Sequence, residues 1–261
     1  MKQITLIIFL GLIFLGNIKS QSIVNTAFKG GEELKFVASY NMSGLWTDLA
    51  QIKMSVKAVK MNDKNLYKLV STARTYTKWD SYFMIRDSYI SYVNPKTIKP
   101  YIYKRDVNEG GFLIKIKYVF KRKSLIAKST MQVGQGPVKN TNIKISHNTL
   151  DLASVVYFIR NFPYDKMAIN SVQTVTVLVD NKPTKIQLKY RGKENIKVTK
   201  YGTKSCYKIG VSLKDENIMK NNPTNNIWLT ADKNKIPVLI KAVIPVGSIQ
   251  MRLSEMNGLR N

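Results

Sequence analysis

The sequence predicts a mainly β fold: a curved antiparallel sheet, arranged as a roll, open barrel or sandwich, with one buried central helix. Three observations carry this prediction. Short runs of apolar–polar alternation recur about a dozen times along the chain. Clusters of Asn, Asp, Gly and Pro separate them. One central segment, "TLDLASVVYFIRNFP" from Thr149 to Pro163, abandons the alternation and is apolar on nearly every side.

The strands follow in order. "ELKFVASY" sets Leu34, Phe36, Ala38 and Tyr40 on one face. "LAQIKMSVKAV" sets Ala50, Ile52, Met54, Val56 and Ala58 against Gln51, Lys53, Ser55 and Lys57. A period of two with one polar face marks a half-buried strand. "NDKN" turns this strand back into "LYKLVSTART", so Leu49 to Thr75 reads as a hairpin. "YISYV" turns at Asn94-Pro95 into "KPYIYKR", "VNEGG" leads into "FLIKIKYVF", and "KRK" leads into "SLIAKST". Past the middle, "VQTVTVLVD" meets "NKPTKIQLKYRG", and "NIKVTKYG" meets "TKSCYKIGVSL". "IWLTADKNKIPVLI" reads strand, turn, strand, and "GSIQMRLSEM" closes the series. In that hairpin Trp228 is a core aromatic and Pro237 sits at an edge or bulge. Asp232 is a turn residue whose short side chain bonds nearby backbone.

The central segment reads as the helix. Asn148 or Thr149 caps it, Asp151 lies in its first turn, and Pro163 ends it. A helix apolar all round is buried, here against the concave face of the sheet. No Gly-, Ser- or Pro-rich linker flanks it, so residues 21–261 read as a single β-rich domain.

The first residues carry an address. Lys2 opens a short basic region, and Ile4 to Gly16 is an apolar core. That core is short for a membrane span, which needs roughly twenty residues. Ser20 is the small residue before a cleavage point at Gln21, so residues 1–20 read as a signal peptide and the mature chain as periplasmic. Cys206 is the single cysteine, which excludes a lipoprotein anchor and an internal disulfide. No later segment is long and apolar enough to form a transmembrane span.

The charge is one-sided: 42 Lys and Arg against 16 Asp and Glu, a net +26. Cleavage would remove only Lys2 and Lys19, so the excess belongs to the mature chain. Lysines alternating with apolar residues, as in "FLIKIKYVFKRK", read first as the solvent face of half-buried strands. The functional reading is attraction to anionic lipid or lipopolysaccharide head groups. Export disfavours nucleic acid. Cys206, in an alternating strand, reads as a buried structural thiol. His147 lies in the polar loop "KISHNT" with no coordinating partners nearby, so no metal or cofactor is expected. G-x-S-x-G, a phosphate-binding glycine loop and H-E-x-x-H are all missing, and no catalytic residue is assigned. Lipid or envelope-component binding without catalysis is the first reading. A hydrolase of envelope polysaccharide or peptidoglycan is the alternative, with Glu32, Asp87 and Asp232 as its candidate carboxylates. A structural role in an envelope assembly is the third.

Three stretches resemble the bacterial envelope family known as domain of unknown function 3108. "FKGGEELKFVASY" carries Phe28, Gly31, Glu32, Leu34 and Tyr40; "DLASVVYFIR" carries Asp151, Ser154, Tyr157 and Arg160; the closing hairpin carries Trp228, Asp232 and Pro237. The resemblance implies a secreted, β-rich protein and brings no catalytic residues. The closing hairpin is also similar to periplasmic lipoprotein carriers, whose open half-barrel and helical lid hold acyl chains. That similarity implies an apolar cavity between sheet and helix, with a cationic rim.

Overall fold

The structure is a computed structural model that describes residues 23–41, 44–213, 225–244 and 247–261; the expected signal peptide, residues 1–20, and the expected Ser20–Gln21 cleavage point lie outside them. The alternating runs become strands. The first half is a meander of β1 (Glu33–Asn41), β2 (Trp46–Met61), β3 (Lys64–Thr75), β4 (Arg86–Val93), β5 (Pro100–Glu109), β6 (Phe112–Lys121), β7 (Ile126–Val133) and β8 (Lys139–Lys144). After the helix α1 (Leu152–Ile159) come β9 (Val172–Val179), β10 (Lys182–Val198), β11 (Gly202–Leu213), β12 (Asn226–Thr230), β13 (Pro237–Ile244) and β14 (Gly247–Asn257). All pair antiparallel in one 14-stranded sheet, ordered β8-β7-β6-β5-β4-β3-β2-β1-β14-β13-β12-β11-β10-β9. The tight turns are those that the sequence marks. Asn62-Asp63 and Asp180-Asn181 both take positive φ, as a two-residue hairpin turn requires.

Three details differ from the sequence reading. β8 was not expected, because its one buried residue is Ile143 and the alternation is lost on an edge strand. β10 runs unbroken to Val198 through an irregularity between Tyr190 and Lys193, so "NIKV" continues a strand rather than opening one. The helix is shorter than Thr149–Pro163. Asp151 is its cap rather than a first-turn residue, accepting from the backbone of Ala153 and Ser154, while Ser154 Oγ accepts from Asp151 N at 3.0 Å. This reciprocal capping box satisfies donors that Asn148 and Thr149 would have left open.

The sheet folds over the helix. α1 touches β3 and β4 on one side and β9, the last strand of the sheet, on the other. The seam between the edges is spanned by local contacts. Leu150 pairs in parallel with Val177, Arg105 Nη1 donates to Asp180 Oδ1 at 2.8 Å, and Asn181 N donates to the Tyr118 hydroxyl at 2.9 Å. Ala153, Ser154, Tyr157 and Ile159 are buried, whereas Leu152, Val155, Val156 and Phe158 are half-buried against the surrounding clusters. The all-round apolar helix is therefore covered on every side but less deeply than expected. Side chains from three core clusters pack directly against it, where the carrier similarity implied a cavity.

The meander gives the sheet two distinct ends. One end collects the turns at Asn62-Asp63, at Asn94–Lys99 and at 231–236, and also residues 25–32 and 258–261. The other collects the turns that follow β1, β3, β5, β7 and β13. Among the described residues no helix is long and apolar enough to cross a membrane.

Candidate functional site

The motif residues converge at the first end. Arg160, just past α1, extends its guanidinium to Glu32 in a two-pronged pair: Nη1 to Oε1 at 2.6 Å and Nη2 to Oε2 at 2.8 Å. Both side chains are 0% exposed. Arg160 Nε and Nη2 also donate to the Asn234 carbonyl at 3.1 and 3.0 Å, which ties the helix to the 231–236 turn. The rings of Phe28 and Tyr157, tilted against each other with centroids 4.8 Å apart, lie 5.4 and 5.5 Å from the guanidinium carbon, so two aromatic rings flank the cation on one side. Gly31 takes φ +98, a region that favours glycine, and a side chain on Gly258 would overlap its carbonyl. The chain end completes the assembly: Asn261 N donates to Asn234 Oδ1 at 2.9 Å and Arg260 Nη1 to the Asn25 carbonyl at 3.0 Å.

Asp232 is the turn residue of this hub. Its Oδ1 accepts from Thr230 Oγ1, Asn234 N and Lys235 N at 2.8, 2.9 and 2.8 Å. Pro237, which opens β13, pairs with Leu229 across the register shift after Trp228. Trp228 is buried, and its Nε1 donates to Glu194 Oε2 at 2.9 Å. Asp151 is sealed as well: Ser91 Oγ donates to its Oδ2 at 2.6 Å, yet burial pushes its carboxyl up to about 6. The ionised groups of the hub are thus matched within the fold, while the Tyr157 hydroxyl is buried without a hydrogen-bond partner among the described residues.

The three carboxylates of the hydrolase reading do not face one another across a cleft. Glu32 is sealed by Arg160 and Asp232 is spent on its turn. Asp87 lies toward the other end, where burial and the neighbouring Glu109 raise its carboxyl to about 6. Its contacts are Tyr89, whose hydroxyl donates at 3.3 Å, and the Asn108 backbone. His147 is exposed in its loop. Cys206 is buried, and burial lifts its thiol to about 11, far from a reactive thiolate. Among the described residues no group of three or more His, Cys, Asp or Glu is placed to hold a metal.

Open space lies elsewhere. A cleft of about 990 Å³ runs over the face of β2 to β7 turned away from α1. Strand alternation sets this face: Tyr103, Ile114, Ile116, Tyr118 and Ala127 point inward to the core with Ala153. Their neighbours Lys104, Lys115, Lys117 and Thr130 are exposed. One row crosses six strands in register, Lys53–Thr72–Ser88–Asp106–Lys115–Gln132. The short side chains of Thr72 and Ser88 form its floor. Lys104 and Lys117 stand directly opposite each other in the next row. Like charges across a strand pair repel. Three nearby acids are engaged with other cations, Glu33 with Lys53 at 2.8 Å, Asp106 with Lys115 at 3.9 Å, and Asp80 with Arg86, while Asp87, which also lines the cleft, is bonded to Tyr89 and the Asn108 backbone. Among the described residues Lys104 and Lys117 have no ion pair. The alternating lysines of β6 were visible in the sequence. Their confrontation with Lys104 was not, because it depends on the β5–β6 register.

No curated protein matches the chain. Among solved structures, it is similar to a β-barrel-like protein of the domain of unknown function DUF1849 from Brucella abortus, at 8% identity and a TM-score of 0.56. The likeness covers 88% of this chain and 98% of that one, and it concerns the fold. The barrel-like curvature thus recurs where the sequence has diverged almost completely. Residues 35–254, from β1 to β14, match the family described as protein of unknown function DUF3108, and the chain belongs to that family.

Proposed function

We propose that the protein is exported by cleavage after Ser20 and works in the periplasm as a non-catalytic binding protein for the anionic head groups of lipid or lipopolysaccharide. The observation that carries this reading is the unrelieved Lys104–Lys117 confrontation in an open, cationic cleft. A phosphate between the two ammonium groups would turn a repulsion into two charge-assisted hydrogen bonds. Lys53, Arg74 and Lys115 line the same cleft and extend the favourable field. The short-side-chain floor lets a head group approach the backbone. Export through residues 1–20 would bring such chemistry beside the membrane.

The test is a titration with dihexanoyl phosphatidylglycerol below its micelle concentration, followed by calorimetry or chemical-shift change. Wild-type mature protein should bind, less tightly as salt is raised. Lys117→Glu should weaken binding about tenfold, a loss of ~1.4 kcal/mol. The same change pairs opposite charges across β5 and β6, so the fold should gain a few tenths of a kcal/mol. Absence of wild-type binding, or unchanged binding by the variant, defeats the proposal. N-terminal sequencing of the native protein checks export, with Gln21 expected as the first residue.

A further inference from the structure

The second end of the sheet is apolar where turns are ordinarily polar. Tyr82 is 81% exposed and Leu45 80%, with Phe112 at 54% and Phe83 at 53%. Trp46 and Leu113 are exposed beside them. These residues occupy successive turns, after β1, β3 and β5, and the turns touch. Trp79 Nε1 donates to the Asp48 carbonyl at 2.9 Å, Gly110 N to the Met84 carbonyl at 2.8 Å, and Gly134 N to the Leu113 carbonyl at 2.8 Å. Phe83 lies over Gly110, where an added Cβ would come within 2.7 Å of its ring, so the exposed ring has a fitted seat. The opposite end contrasts with this: its turns present Asn62, Asp63, Lys96 and Lys123 to solvent.

We infer that this rim is a membrane-docking edge that inserts its aromatic and aliphatic tips into the interfacial zone of an anionic bilayer. Trp, Tyr and Phe are the side chains that favour that zone, with an apolar body and, in Trp and Tyr, a polar edge. Charge complementarity selects an anionic lipid surface. Two of the rim's acids are neutralised in place, Asp48 by Arg252 at 2.7 Å and Asp80 by Arg86, and Lys78 is exposed in the same loop, while Glu109 at the end of β5 neighbours Asp87 without an ion pair among the described residues. Geometry links the rim to the cleft. At about 3.3 Å per residue, Lys115 and Lys117 lie roughly 7 and 13 Å along β6 from Leu113. Tips buried about 5–10 Å into the head-group and acyl boundary would bring these lysines to phosphate level. The choice of anionic lipid rests on the head-group reading above; the rim itself is a separate observation.

The experiment is flotation of the full mature protein with vesicles of phosphatidylcholine and phosphatidylglycerol, three to one, against phosphatidylcholine alone. Wild type should float with the anionic vesicles. The triple variant Trp46→Ser/Phe83→Ser/Phe112→Ser should lose about tenfold or more of the partition while titrating dihexanoyl phosphatidylglycerol as wild type does. A second measurement does not depend on that variant: brominated acyl chains should quench wild-type fluorescence, and Trp46→Phe should remove most of the quenching. Three results overturn the inference. Flotation of the triple variant like wild type would assign membrane contact to the cleft. Binding of the short-chain lipid by a wild type that fails to float would leave the cleft reading standing and remove the rim. Failure of wild type to float, with loss of a co-purifying protein from the rim variants, would make the rim a protein interface.

Discussion

Removing one partner of the Glu32–Arg160 pair should be among the most damaging single changes available in this chain. Glu32 Oε1 and Oε2 accept at 2.6 and 2.8 Å, and the pair has no water to fall back on at 0% exposure. Glu32→Ala leaves the guanidinium with only the Asn234 and Ala27 carbonyls, at 3.0 to 3.4 Å, and no counter-charge. Breaking a buried pair from one side costs about 3–5 kcal/mol, because the surviving charge stays desolvated. Against a total stability of about 5–15 kcal/mol this is a large fraction. Arg160→Met should cost a similar amount. The double variant Glu32→Leu/Arg160→Met should cost less than either single, since apolar side chains of comparable volume replace both charges. Urea unfolding followed by far-ultraviolet circular dichroism gives the cycle directly. Single variants within about 1 kcal/mol of wild type, or strictly additive effects, would refute the joint. A stable Glu32→Ala protein that lost its biological activity would restore Glu32 as a functional acid.

Other expectations follow from single contacts. Asp232→Asn should change stability by less than about 1 kcal/mol, since an amide oxygen can accept the same bonds, whereas Asp232→Ala should cost about 1–2 kcal/mol. Trp228→Ala should cost about 3–5 kcal/mol and free Glu194 from its indole partner. Val156→Asp should cost about 2 kcal/mol rather than abolish folding, because Val156 is half-buried; loss of all β signal would refute that placement. Asp87, raised to about 6 in the fold against 3.8 as its ordinary value, keeps its proton where the unfolded chain has released it. Stability should therefore fall as pH rises from about 4 to 6 and stay flat above. Asp87→Asn should remove Asp87's share of that fall, leaving the share of Asp151, which burial also raises to about 6, and should raise the urea midpoint at neutral pH; an unchanged pH profile would count against it.

The strands were legible because their physics is local. A half-buried strand writes its two faces into alternate residues, as Met54 and Lys53 do, and Asn-Asp pairs announce the tight turns. β8 escaped because an edge strand with only Ile143 inward leaves no alternation. The helix cap escaped because Asp151, Thr149 and Asn148 are all competent caps; the reciprocal bond with Ser154 decides among them. Glu32 and Arg160 were visible as motif residues, but their pairing spans 128 positions of sequence. No local pattern can encode such a pairing. The cleft depends on register in the same way. The rim had one readable signal, aromatic residues at turn positions where polar ones are usual. "WDSYFM" and "EGGFL" show it; the first falls between the strands read from the sequence, and the Phe112-Leu113 of the second was read as the start of a strand.

The two ends of the sheet separate stability from exposure. At one end the segment preceding β1, the end of α1, the 231–236 turn and the chain terminus are locked through Arg160 and Asn234. β1, β12, β13 and β14 thereby each have one end held at the hub. The turns at the other end then need little stabilisation of their own, and large apolar side chains can stand in solvent there without weakening the core. The exposed rings cannot be accidents of a lysine-rich composition, because they are confined to neighbouring turns. Lys104 and Lys117 face one another in the cleft, and the apolar tips stand just above it. That order, apolar edge, then lysine, then sealed hub, is the layering that a bilayer presents from its acyl boundary outward.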